Sequence, residues 1–305
     1  MKDKIIVVCG PTASGKTHVS ARLAKILNAE IISADSMQIY RELNIGTAKP
    51  AKEETRGVLH HLIDIISIKS QGFSVAEYVK RAGECARDIL KKGKKVIVCG
   101  GTGLYIDHFL NGTRFTESES DAGYRRQLEE FPSGELHRML VETDIKSSES
   151  IHPNNKKRII RALEIFKITG KTKSELDALA NSEEPEYGSI KFMLDFPDRN
   201  ALYDRINTRA DAMLKNGLED EARGLYEGGC ENDIRRIGAI GYVELMDYFS
   251  GVYGFGETAG KIKQHTRNYA KRQLTWFNKS PRIIRISADK PGAEIIRSIC
   301  GMICL

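Results

Sequence analysis

The chain has 305 residues, 41% hydrophobic and 29% charged, a balance that suits a globular protein with a sizeable core and excludes a disordered or fibrous chain. No apolar run approaches the ~20 residues of a membrane span, and the short run before Gly10 is too brief for a secretory signal, so a cytoplasmic protein with no membrane contact is expected. The formal charge of +6 is a mild pointer to a polyanionic partner.

In chain order, the apolar run 5–9 predicts a strand buried on both faces, and helical spacing follows over 17–27. A second strand is predicted over 30–34, ending at Asp35, then a helix over 75–92 and a third strand over 96–99 closed by Gly100 and Gly101. Strands alternating with helices imply a doubly wound parallel α/β sheet, whose ligands bind at the carboxyl ends of the strands. After Gly112 the pattern turns helical, over 124–131, 134–142, 155–169 and 172–180, before an apolar run at 191–195 returns to the sheet. Further helices are predicted over 199–216, 218–228, 241–249 and 257–277, with a last strand over 282–286. The expected organisation is a P-loop core, 1–113 with 186–305, carrying a helical insertion domain over 114–185.

Gly10, Pro11, Thr12, Ala13, Ser14, Gly15, Lys16 and Thr17 match the G-x-x-x-x-G-K-[ST] pattern between a strand and a helix. Glycines let the backbone curl until several N–H groups face one anion, and the helix start adds partial positive charge. Lys16 supplies a full charge for terminal phosphates, and the Thr17 hydroxyl suits Mg²⁺. The second acidic residue that a nucleotide hydrolase needs is only weakly imitated by Asp195 and Asp64.

Asp35, at a strand exit beside the cradle, is placed either to take a proton from an attacking group or to cap a helix. Arg205 and Arg209, four apart, either clamp a diphosphate from the far side or pair with Asp204 and Asp211. The turn from Gly100 to Gly103 could offer donors to the same ligand. His60 and His61 lack partners at metal spacing, and Trp276 and Phe277 read as core anchors. The six cysteines, Cys9, Cys85, Cys99, Cys230, Cys300 and Cys304, lack zinc or redox spacing and are expected to be reduced.

Charge is unevenly distributed. Residues 258–282 hold seven basic side chains and no acidic one, and residues 152–171 hold six against Glu164 alone. Such runs are either solvated helix faces or nucleic-acid contacts.

Several segments together resemble one family, the tRNA dimethylallyltransferases, also called tRNA isopentenyltransferases. They are the cradle, the run Asp35, Ser36, Met37, Gln38, Ile39, Tyr40, and the segments at 46–50, 60–65 and 100–105. Later come 152–154, 157–164 and 270–276. The match runs in order over nearly the whole chain and is to the bacterial form, without a zinc finger.

The resemblance implies transfer of a dimethylallyl group from its diphosphate to N6 of the adenosine 3′ of the tRNA anticodon. The cradle would then hold the leaving group, with Lys16, Thr17-bound Mg²⁺ and Arg209 stabilising its charge, Arg205 beside them and Asp35 as general base. Contacts to the tRNA anticodon stem-loop would come from Asp35, Ser36, Met37, Gln38 and Thr102. In the insert they would come from Arg125, Lys157, Arg158, Ile159, Ile160 and Arg161. The basic runs gain a partner, and a monomer is expected. An adenylate isopentenyltransferase, a P-loop small-molecule kinase and a nucleotide-dependent RNA-binding switch are the rival readings.

Overall fold

The computed structural model describes residues 4–70, 72–113, 121–180, 185–280 and 282–303. Six parallel strands form one sheet in the order β3-β2-β4-β1-β5-β6. They are β1 (Lys4–Cys9), β2 (Ala29–Ala34), β3 (His60–His61), β4 (Lys95–Gly100), β5 (Gly188–Asp195) and β6 (Ile283–Ser287). The central strand β1 is in register with both neighbours, Val7 lying opposite Val98 of β4 and Lys191 of β5.

Helices cover both faces, which is why the central strands are continuous apolar runs instead of alternating ones. Side chains alternate by two along β1. Ile5, Val7 and Cys9 join one core with α3 (Val75–Lys91) and α4 (Gly103–Leu110), where the Tyr78 and Tyr105 rings stack at 4.2 Å. Ile6 and Val8 face a second core, formed with α1 (Lys16–Leu27) and α15 (Gly292–Ile303). The doubly wound parallel α/β core expected from the sequence is the one observed.

A third cluster determines where the functional loops go. Ile39, Tyr40 and Leu43, in the loop after β2, are buried against Leu218, Ala222, Tyr242 and Leu245. These belong to the α10 (Arg199–Met213), α11 (Glu219–Glu227) and α13 (Tyr242–Phe249) region, where the helical path between α10 and α11 breaks at Gly217. Between these lie α2 (Lys52–Thr55) earlier in the chain and α12 (Glu231–Ile237) after α11. The long basic helix α14 (Phe255–Phe277) lies against α10 and α13.

The chain divides into two compact units, residues 1–110 with 187–305, and residues 111–186. The smaller unit holds α5 (Ala122–Glu129), α6 (Ser133–Thr143), α7 (Ile145–Ser150), α8 (Lys156–Thr169) and α9 (Lys173–Ala180). Its own core contains Leu128, Leu136, Leu140, Ile159, Ile160 and Leu163. Among the described residues no helix is long and apolar enough to cross a membrane.

Candidate active site

The loop between β1 and α1 curls back over the sheet end. Gly10 has φ 140°, and a Cβ there would lie 2.4 Å from the Leu194 carbonyl oxygen, so no other residue fits. Helix α1 starts behind Gly15 with no side-chain cap and no acidic residue in its first turn. Its leading N–H groups and dipole are therefore left for an anion. The Ser14 hydroxyl, within the same loop, is buried without a protein partner among the described residues.

Lys16 Nζ donates to the Pro11 carbonyl at 2.6 Å, across the loop. Burial pushes its ammonium down to about 8, and the nearby Arg209 cation acts in the same direction. A ligand anion opposes both effects, so the site is set to accept negative charge. From α10, Arg209 Nη1 donates to Thr12 Oγ1 at 3.2 Å, and Arg205 Nε donates to the Ala13 carbonyl at 3.0 Å. Both arginines thus engage the cradle, whereas Asp211 pairs with Lys263 at 2.6 Å.

Asp35 lines one open cavity together with Thr12, Lys16, Thr17 and Arg209. Asp35 Oδ1 accepts from the Met37 and Gln38 amides at 2.8 and 3.3 Å. It therefore caps a turn, and no helix starts there. That bonding holds the carboxylate by one oxygen and leaves Oδ2 without a protein partner among the described residues. Thr102, just past β4, accepts from the Ser36 amide at 3.1 Å through Oγ1. Gln38 uses its amide within the protein, donating to the Thr47 and Ala48 carbonyls at 3.2 Å each. Met37 packs against the third cluster.

Three cavity residues had no role assigned from the sequence, His60, Tyr269 and Gln273, although His60 and Gln273 fall in segments that carry the family resemblance. The His60 ring donates from Nδ1 to the Val58 carbonyl at 3.0 Å, so Nε2, buried without a partner among the described residues, is the lone-pair nitrogen of the neutral ring. Burial holds His60 below the usual imidazole range. Burial, and then the Asp35 carboxylate, raises the Tyr269 phenol. Tyr269 and Gln273 are four apart on α14, and that spacing amid basic residues is the signal that could have found them.

Among the described residues no cluster of three or more His, Cys, Asp or Glu could hold a metal. Asp195 is taken by Arg285 at 2.7 Å, and Asp64 by Lys49. What remains is the Thr17 hydroxyl and the Asp35 carboxylate in one cavity. That sparse oxygen set fits a divalent cation that keeps several waters and is held largely by substrate phosphates. Cys9, Cys85, Cys99 and Cys230 carry free thiols, and burial raises the first three. Cys304 lies outside the described residues.

In the smaller unit, Glu164 is fully buried and holds Arg125 at 2.8 Å and Arg161 at 2.5 Å, both arginines remaining about two-fifths exposed. Lys157 and Arg158 are exposed. Ile159 and Ile160, expected with the tRNA-contacting segment, are 0% and 5% exposed instead. They face the unit's core on the inner side of α8, so only the polar members of that segment present atoms to a partner.

A family described as IPP transferase matches residues 38–280. A tRNA dimethylallyltransferase from Bacillus cytotoxicus is 44% identical over all of this chain and 97% of its own length. The crystal structure of the full-length tRNA isopentenylpyrophosphate transferase from Bacillus halodurans superposes with a TM-score of 0.75 at 39% identity, covering 99% of this chain and 96% of that one. A eukaryotic dimethylallyltransferase acting on tRNA gives a TM-score of 0.82 at 27% identity, covering 94% of this chain and 74% of that one. Matches of this extent, over the family model and over nearly the full length of both relatives and solved structures, show that this protein belongs to the IPP transferase family of enzymes.

Proposed function

We propose that the protein transfers a dimethylallyl group from dimethylallyl diphosphate to N6 of the adenosine immediately 3′ of the anticodon in tRNA, releasing diphosphate. The observation that carries this reading is the shared cavity, lined by cationic and hydroxyl groups of the cradle region and by the Asp35 carboxylate. In the reaction the C1–O bond of the donor breaks and a C1–N6 bond forms. The electron pair leaves with the diphosphate, and the N6 proton goes to Asp35.

Each group then has a task. Lys16, Arg209 and the free amides of the loop meet charge that grows on the diphosphate as it departs, so their stabilisation is greatest in the transition state. Mg²⁺ beside Thr17 would supply further neutralisation of that leaving group. Adenine N6 is a weak nucleophile because its lone pair is delocalised into the ring, and a base within reach of its proton is worth ~10²–10⁴ in rate. Thr102 and the turn 35–38 lie where the flipped base would arrive, and Arg205 supports the cradle.

The basic stretches favour tRNA over a free nucleotide as acceptor. Lys271 and Arg272 are exposed on α14, and Lys157, Arg158, Arg161 and Arg125 are presented by the insert. These are the side chains proposed to meet the anticodon stem-loop, in a cytoplasmic protein acting as a monomer. The test mixes the protein, Mg²⁺ and radiolabelled dimethylallyl diphosphate with either unmodified tRNA or AMP. Label on adenosine in tRNA alone is expected. Label on AMP would overturn the acceptor, and label on neither would overturn the reaction.

A further inference from the structure

We propose that Gln273 is a positioning residue that sets the spacing between the leaving-group clamp and the acceptor loop, an inference that rests on the prenyl-transfer reading. Gln273 is 5% exposed, on the buried side of α14. Both ends of its carboxamide are used. Oε1 accepts from the Thr12 amide at 2.8 Å, and Nε2 donates to the Gly101 carbonyl at 3.0 Å. The partners fix this orientation, because a backbone amide only donates and a carbonyl only accepts. The contact is close: a Cβ on residue 101 would lie 2.0 Å from Gln273 Nε2.

Each bond begins a short relay. On the donor side, the Thr12 whose amide Gln273 holds also carries the hydroxyl that receives Arg209 at 3.2 Å. On the acceptor side, Gly101 precedes Thr102, whose amide donates to the Ala34 carbonyl at 3.0 Å. The Thr102 hydroxyl then takes the Ser36 amide at 3.1 Å. Ala34 and Ser36 flank Asp35, so both neighbours of the proposed base are fastened to the turn that Gln273 anchors.

This bridge answers a problem set by the topology. The cradle follows β1 and Asp35 follows β2, and β4 lies between those strands. Two sites on non-adjacent strands must hold C1 and N6 at roughly 3–3.5 Å for attack. One carboxamide, fixed by its helix and bonded to the exits of both β1 and β4, makes that spacing a property of the fold. A residue that merely filled space would cost stability when changed, but would leave turnover per folded molecule intact.

The test compares full-length wild type with Gln273→Met, which keeps volume and loses both bonds, and Gln273→Glu, which keeps the acceptor and sets an oxygen against the Gly101 carbonyl. Gly101→Ala serves as a second approach, because it pushes the amide away without touching residue 273. Melting temperature, inorganic diphosphate binding, and kcat and KM for both substrates are measured at a temperature where all are folded. In all three variants kcat is expected to fall at least about tenfold. For Gln273→Met and Gly101→Ala, diphosphate affinity and the KM for tRNA should change by no more than about threefold. Gln273→Met combined with Gly101→Ala should lose no more than the worse single variant. Variants with wild-type kcat would overturn the inference alone, as would losses confined to KM or melting temperature. A wild type that prenylates no tRNA would overturn the reaction and this inference together.

Discussion

Arg209 of α10 places Nη1 3.2 Å from the Thr12 hydroxyl, so this cation is tethered to the phosphate cradle through a residue remote in sequence. In the proposed reaction that tether would make Arg209 part of the diphosphate clamp before any ligand arrives. Arg209→Gln should retain a donor for Thr12 and lose the charge, lowering kcat for dimethylallyl transfer by about 10²–10³. Steady-state kinetics with tRNA in excess measures this, and an unchanged kcat would remove Arg209 from the leaving-group clamp.

Lys16 gives a pH signature. Its ammonium is brought down to about 8 by burial, so in the free enzyme the charge is present below that pH and lost above it. The value of kcat/KM for dimethylallyl diphosphate should therefore fall as pH rises through about 8, approaching tenfold per unit on the alkaline side. Bound diphosphate favours the charged form, which should move the corresponding limb of kcat upward. Lys16→Arg, charged throughout this range, should remove the limb from the profile.

Asp35→Asn separates the two jobs of that side chain. The asparagine Oδ1 can still accept from the Met37 and Gln38 amides, so the turn and tRNA binding should persist. Turnover should drop by about 10²–10⁴ with loss of the base. Single-turnover prenylation alongside filter binding of tRNA checks both halves, and full turnover in the variant would assign proton removal elsewhere.

A stability prediction concerns Glu30, at the start of β2. Burial alone would raise its carboxyl, but bonds from Lys94, His61 and Lys92 outweigh burial and bring it to about 2. A depressed carboxylate contributes stability above its unfolded value of 4.5 and loses that contribution as pH falls toward about 2. Glu30→Gln should lower Tm by roughly 5 °C at pH 7. Thermal scans should show the difference between variant and wild type shrinking steadily below pH 4.5.

The major strands were legible because each is a run of apolar residues long enough to be buried on both faces. β3 was not, since two histidines carry no such pattern and pair with Ile31 and Ile32 only through backbone bonds. Helix α4 hid behind the glycines of 100–103, and α15 was missed although Ile295, Ile296 and Ile299 repeat at helical spacing. The cradle could be read because its function is local: eight consecutive residues form it. Gln273 could not, since its importance comes from bonds to residues 261 and 172 positions away. His60 and Tyr269 share that limitation, reaching the cavity from elements remote in sequence. The inward side of Ile159 and Ile160 was visible as an apolar stripe, but a basic neighbourhood drew attention to the segment as a whole.

The bond from Lys16 to the Pro11 carbonyl has a consequence for product departure. In the proposed reaction an incoming diphosphate would not meet an idle cation; it would displace a carbonyl and take over that carbonyl's partner. The gain on entry is therefore a difference between two bonds, smaller than the full attraction of an ammonium for a phosphate. When the diphosphate leaves, the same carbonyl is waiting to recapture the lysine. A built-in substitute of this kind loosens the hold on the spent fragment, and it lets a strongly charged pocket be vacated between catalytic cycles.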